Sequence, residues 1–194
     1  MLLFGHVGIT AAAASLTDAA FPPEALYNSE SGFKYQIALI LSYFRDSTGH
    51  LDYRMIIIGS MLPDIIDKPL FLLFNESGLF TGRSHAHSLL FALLLLSGGL
   101  FSRKPWLLTL AVANVFHLFL DSIWNNPETL FWPFLGRFKP YGIEGWFSGI
   151  WYNLTHVPEI YIPEIIGLLV TGFLTYKIIK AGGINRFVRR GIIG

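Results

Sequence analysis

Residues 112–124 read VANVFHLFLDSIW, from Val112 to Trp124. The reading of this stretch decides the fold. An apolar helical run carries His117 and Asp121 four positions apart, which stacks an imidazole and a carboxylate on one helix face. Zinc, manganese and iron accept both groups as ligands. An unpaired Asp in so apolar a helix costs several kcal/mol unless its charge is compensated. A metal ion would compensate it. The plainer alternative is a His–Asp hydrogen bond buried for packing.

Composition sets the surroundings of that helix. Of the 194 residues, 53% are hydrophobic and 14% charged, against about 25% charged in a typical soluble domain. The mean hydropathy is +0.51, with 17 Phe and 5 Trp. The chain therefore reads as one all-α, membrane-embedded helical domain over residues 1–194, with several short spans. Cys is absent, so there is no disulfide framework, and any metal must be held by His, Asp and Glu. A net charge of +1 argues against nucleic acid as a partner. The N-terminal stretch lacks a basic n-region and the shape of a cleaved signal.

Upstream, Met1–Thr17 is uncharged and rich in Ala and Leu, and reads as a first helix in or on the membrane. His6 lies near its start between Gly5 and Gly8, where a simply packed His is the plain reading. Asp18–Gly32, with Pro22 and Pro23, reads as a loop, and Phe33–Phe44 as a short helix. After the polar Arg45–Arg54 turn comes MIIIGSMLPDIIDKPLFLLF. Pro63 suits the first turn of a helix there, with Asp64 and Asp67 sharing that turn and face. N-terminal capping accounts for one such Asp better than for two.

GRSHAHS at 82–88 places His85 and His87 two apart, divergent if helical and on one face if extended. Ser84 or Ser88 would cap the apolar helix that follows, with a His at its mouth. Arg103, Lys104 and Pro105 make a basic elbow before the helix of His117. Asn125–Pro163 is rich in Trp, Tyr, Pro and Gly, suited to a membrane interface or to a lid. Glu164 opens a last apolar run that ends in Lys177, Lys180, Arg186, Arg189 and Arg190.

Helix polarity gathers these features. The helix after His87 runs from that residue to the Arg103–Lys104 elbow. The next returns His117 and Asp121 to the first end, and the last starts there at Glu164. Histidine and acidic groups thus share one end of the bundle and fixed positive charge the other. The positive-inside rule makes the basic tail cytoplasmic. The first three helices do not fit this alternation, so at least one of them does not span.

With these residues in place, GSMLPDIID, RSHAHSLL and HLFLDSIWNNPETLFWPF resemble the signatures of the YdjM-like family of membrane-bound metal-dependent hydrolases. His6 followed closely by Gly8 is also similar to that family, and the resemblance covers roughly positions 1–136. It implies an all-helical core related to zinc phospholipase C and the single-strand nucleases. It further implies metal ligands at His6, Asp64, His87, His117 and Asp121, with Asp121 bridging two ions. Zinc is the implied metal, with manganese or magnesium as alternatives, and two or more ions are expected. For the superfamily's later ligands, a His and a Glu, the chain offers loose candidates in His156, Glu159 and Glu164, of which Glu164 is the best. The chain departs from the family pattern at Gly82, where many members carry His. That leaves His85 open as ligand, supporting residue or bystander.

The expected chemistry is phosphoester hydrolysis by metal-activated water. Asp64 or Asp67 would orient or deprotonate the water, and Arg83 would pair with a phosphate or else anchor at the interface or hold a carboxylate. Expected partners are membrane lipids and a phosphate-containing substrate such as a phospholipid or lipid-linked phosphate. The contrasting expectation is a metal-binding or ion-translocating membrane protein without hydrolytic activity. A conduit needs polar positions along whole helices. Leu89–Phe101 and Ile165–Tyr176 offer only Ser, Thr, Gly and Tyr. A third reading is a structural protein with a buried polar network.

Overall fold

The computed structural model describes residues 2–22, 33–45, 49–74, 81–135, 138 and 146–193. Residues 23–32 of the expected loop, 46–48 of the polar turn, and 136–137 and 139–145 of the expected lid lie outside the described residues. Among the described residues the chain is all-helical, without strands. Its α-helices are α1 (Leu3–Ala20), α2 (Phe33–Ser42), α3 (Tyr53–Phe74), α4 (Leu89–Ser102), α5 (Pro105–Leu120), α6 (Pro127–Leu130), α7 (Trp146–His156), α8 (Pro158–Lys180) and α9 (Ile184–Arg190). Short 3-10 turns at His85–His87 and Ile123–Asn125 flank the α4–α5 hairpin.

The bundle is built on two close crossings. α1 packs along α8, and α3 packs along α5. At the first, a Cβ on Gly8 would meet the Gly167 backbone, and one on Gly167 would meet the Phe4 carbonyl. At the second, a Cβ on Gly59 would meet the Leu110 carbonyl and Ala113. Small residues let helix backbones approach in this way, which is the usual route to helix packing in a membrane. α1 also packs on α3, which joins the two pairs.

Helix α3 corrects the reading of Pro63 as a helix start. It begins at Tyr53 and runs unbroken for 22 residues with Pro63 and Pro69 inside. Asp52 opens it instead, accepting from Arg54 N at 3.0 Å through Oδ1 and from Met55 N at 3.0 Å through its carbonyl. Pro63 removes the donor for the Gly59 carbonyl. Membrane helices tolerate this where neighbouring groups satisfy the freed backbone. Asp64 and Asp67 therefore project from mid-helix.

α8 has 23 residues and is the one described helix both long and apolar enough to cross a membrane. At about 1.5 Å per residue it is roughly 35 Å long. α4 and α5 are apolar, with 14 and 16 residues, and fall short of a bilayer core of about 30 Å. The expectation of several spans thus reduces to one clear crossing, with an apolar hairpin beside it. Leu93, Leu94, Leu100 and Phe101 on α4, and Leu168, Leu169 and Phe173 on α8, face outward.

Opposite ends of the bundle differ in chemistry. At one end, buried Arg45 donates to Asp18 Oδ1 at 3.0 Å, and Tyr53 Oη donates to Asp18 Oδ2 at 3.1 Å. The C-terminal segment docks there, with Tyr53 N donating to Gly191 O at 3.0 Å and Arg54 Nη1 to Val188 O at 2.8 Å. At the other end lie His6, Asp64, Asp67, His87, His117, Asp121 and Glu164, all buried.

Candidate metal centre

Each histidine of the centre is aimed by the element that carries it. His117 sits in the last turn of α5 and faces α3, where its Nδ1 donates to the Ser60 carbonyl at 2.6 Å. His87 closes the 3-10 turn before α4, whose first turn is capped by Ser88 Oγ accepting from Phe91 N at 3.1 Å. Its Nδ1 donates to Asp67 Oδ2 at 2.7 Å. A carbonyl and a carboxylate can only accept, so both Nδ1 atoms carry the proton and both Nε2 atoms present lone pairs when the rings are neutral. Those two Nε2 atoms face each other at 3.3 Å.

Carboxylate oxygens close around the same point. His87 Nε2 is 3.6 Å from Asp64 Oδ1 and 3.8 Å from Asp121 Oδ2, and His117 Nε2 is 3.9 Å from that Asp121 oxygen. His6 stacks on His117 at a ring separation of 4.0 Å and donates from Nε2 to Asp121 Oδ1 at 3.1 Å. Its Nδ1 is left buried without a hydrogen-bond partner. Two sets of three, His6–Asp64–His117 and His87–His117–Asp121, each hold their ligand atoms within 4.8 Å of one another. With neutral rings, acceptors converging in a buried space favour a cation between them, beside the charges that Arg83 and Lys68 supply at the rim. The far side of the His87 and His117 imidazoles is fixed by a hydrogen bond of the kind that supports metal-bound histidine. The donor set fits a divalent metal.

Two cations line the rim. Arg83 Nε lies 2.8 Å from Asp121 Oδ2, with its side chain 42% exposed. Lys68 Nζ lies 2.7 Å from Asp64 Oδ2, with its side chain 30% exposed. Burial favours a protonated Asp121, but its bond to His6 and the Arg83 charge hold it well below the usual carboxylate range. Burial also opposes charge on His87, and its bonds to Asp64 and Asp67 outweigh this and raise its pKa.

His6, Asp64, His87, His117 and Asp121 are thus brought together. Asp67 and Glu164 are not part of that ring. Asp67, expected to work on water, turns to the loop: its oxygens accept from the backbone N–H of Ser84 (2.7 Å), Ala86 (3.1 Å) and His87 (3.3 Å), as well as from His87 Nδ1. Glu164, expected as a ligand, spends both oxygens on the start of α1, accepting from Leu2 N at 2.6 Å and Phe4 N at 2.9 Å. His85 packs edge-on against Trp132 and Phe138. His156 is exposed and stacks on Tyr152, and Glu159 is exposed in the first turn of α8.

Sequence reasoning missed Lys68 and Ser60. The signal for Lys68 was its place four residues after Asp64 in an apolar run. Ser60 acts through its carbonyl, which no side-chain motif announces.

A family model described as YdjM inner membrane protein matches residues 1–184. No curated protein and no solved structure matches the chain, so a likeness to the zinc phospholipase C core is not demonstrated. The chain belongs to the YdjM inner membrane protein family.

Proposed function

We propose that this protein is a membrane-bound, metal-dependent hydrolase of phosphoesters, with a phospholipid or other lipid-linked phosphate as substrate. One observation carries the reading. The Nε2 lone pairs of His87 and His117 meet carboxylate oxygens of Asp64 and Asp121 in a buried space. His6, Asp64, His87, His117 and Asp121 would hold the metal, with zinc suited to this imidazole and carboxylate set. When bound, a divalent ion supplies acidity to water and polarises a phosphoryl oxygen.

The chain's own residues do the remainder. Asp67 and Ser60 keep the two imidazoles turned inward. Arg83 and Lys68 stand at the rim, half-exposed, where cations neutralise a phosphate and orient it. Asp64, the mid-helix carboxylate not spent on the loop, would orient the attacking water, with its Oδ2 held by Lys68. In that hydrolysis the water oxygen forms a new bond to phosphorus, the bond to the leaving alkoxide breaks, and a proton ends on the alkoxide.

Elemental analysis of detergent-purified protein tests the reading, with His117→Ala and Asp121→Ala beside the wild type. Zinc or manganese in the wild type, lost in both variants, together with metal-dependent cleavage of a chromogenic phosphodiester, is the expected result. A folded wild type that takes up neither metal after incubation would rule the reading out.

A further inference from the structure

A cleft of about 210 Å³ runs between α1, α2, α3 and α5. That exceeds the roughly 150 Å³ of an engineered apolar cavity that binds benzene. Its walls are almost wholly apolar, from Ala13 and Ala14 on α1 to Phe44, Ile56 and Phe116. Val112 lines it and is 44% exposed, which marks an open side towards the apolar outer surface.

Helix register ties this cleft to the metal centre. Thr10, at its upper end, follows His6 by one turn of α1, and Ala113 precedes His117 by one turn of α5. From Thr10 the α1 wall continues to Thr17, about 10 Å further from the centre. The Thr10 hydroxyl is the second observation. Thr10 is 6% exposed, lines the cleft, and its Oγ1 has no hydrogen-bond partner. An apolar slot with one unpaired donor at the end nearest the centre matches an acyl chain whose ester oxygen sits at its head. The membrane supplies such chains.

We propose that the cleft binds an acyl chain of the lipid phosphoester substrate, with Thr10 donating to an ester oxygen beside the headgroup. This assignment rests on the hydrolase reading above and narrows its substrate to a lipid that inserts a chain beneath the His6–His117 stack. A soluble phosphoester fills only the upper half of such a site.

The test uses the full chain in vesicles containing phosphatidylglycerol with a diazirine in one acyl chain. After irradiation, adducts are mapped by mass spectrometry. Adducts are expected on the stretches 10–17 and 109–116. They should be lost in Ala13→Phe, which fills the slot, and reduced about fivefold in Thr10→Val, the effect of one hydrogen bond. Metal content of the same samples checks that the variants keep their fold. Cleft labelling no stronger than that of outward-facing Leu168, Leu169 and Phe173, and unchanged in Ala13→Phe, would overturn the proposal. Because the wild-type map is informative alone, a variant that fails to fold does not spare it. The failures separate: metal without cleft label leaves the hydrolase standing and removes the slot. Cleft label in a wild type that binds no metal overturns the assignment of that chain to a substrate.

Discussion

Asp67 shows how much of a candidate metal centre is built by residues that do not reach its middle. It gathers three backbone N–H groups and the His87 imidazole, so it sets both the loop and the ring. Asp67→Asn should therefore keep the fold and the number of ions but weaken metal affinity about 10–100-fold, as read by competition with a chelator. Asp121→Ala should abolish binding at the same metal concentrations. At this scale, what could be read from sequence depended on where the partners lay. His117 and Asp121 share one helix face, so their spacing alone announced them. His6, Asp64 and His87 come from three other elements; helix polarity put His87 at the same end as the pair, and only the family resemblance tied His6 and Asp64 to it. Glu164 was expected as a ligand because an acid at the mouth of an apolar helix looks the same whether it faces a cation or, as here, the N–H groups of another helix. Lys68 went unnoticed because a lone Lys beside two Asp reads as ordinary charge balance.

The elements turn on the two close crossings. Gly167→Val should force α8 off α1, since even a Cβ meets the Phe4 carbonyl. Overpacking of this kind costs about 1–3 kcal/mol, and thermal unfolding followed by circular dichroism in detergent should show the loss. Glu164→Ala removes two charge-assisted hydrogen bonds from the start of α1 and should cost about 2 kcal/mol. Glu164→Gln should recover part of that, and both variants should still bind metal at saturation, an outcome a direct ligand would not allow. At the far end, burial and then the Asp18 charge raise the Tyr53 pKa. A pKa raised by folding stabilises the protein fully below the unfolded value, about 10, and that stability is lost as pH rises through the folded value. Thermal stability should accordingly fall more steeply above pH ~10 in the wild type than in Tyr53→Phe. Helix α3 was the hardest element to read. Pro63 followed by two acids carries every mark of a helix start, and only packing of Ile56, Gly59 and Ser60 in the bundle shows that the helix is already running.

Across the whole molecule, composition and charge placement were readable early, because outward-facing apolar residues and a basic tail need no tertiary knowledge. Span number was not, since α4 and α5 are apolar enough but too short. We infer from the basic tail that the α9 end is cytoplasmic. The absence of Cys makes this simple to check. Arg189→Cys in inverted inner-membrane vesicles should react with an impermeant maleimide, while Ser122→Cys beside the centre should react only from the periplasmic face. The join between α1 and α8 has a further consequence. The ribosome makes His6 long before the helix that seats it, through Gly167 and Glu164, emerges. During synthesis α1 must wait for α8, and the centre can close only once α8 has been made. A nascent chain halted before Pro158 should therefore bind metal more weakly than one extended through Lys180, so the arrival of α8 marks the point at which the centre can close.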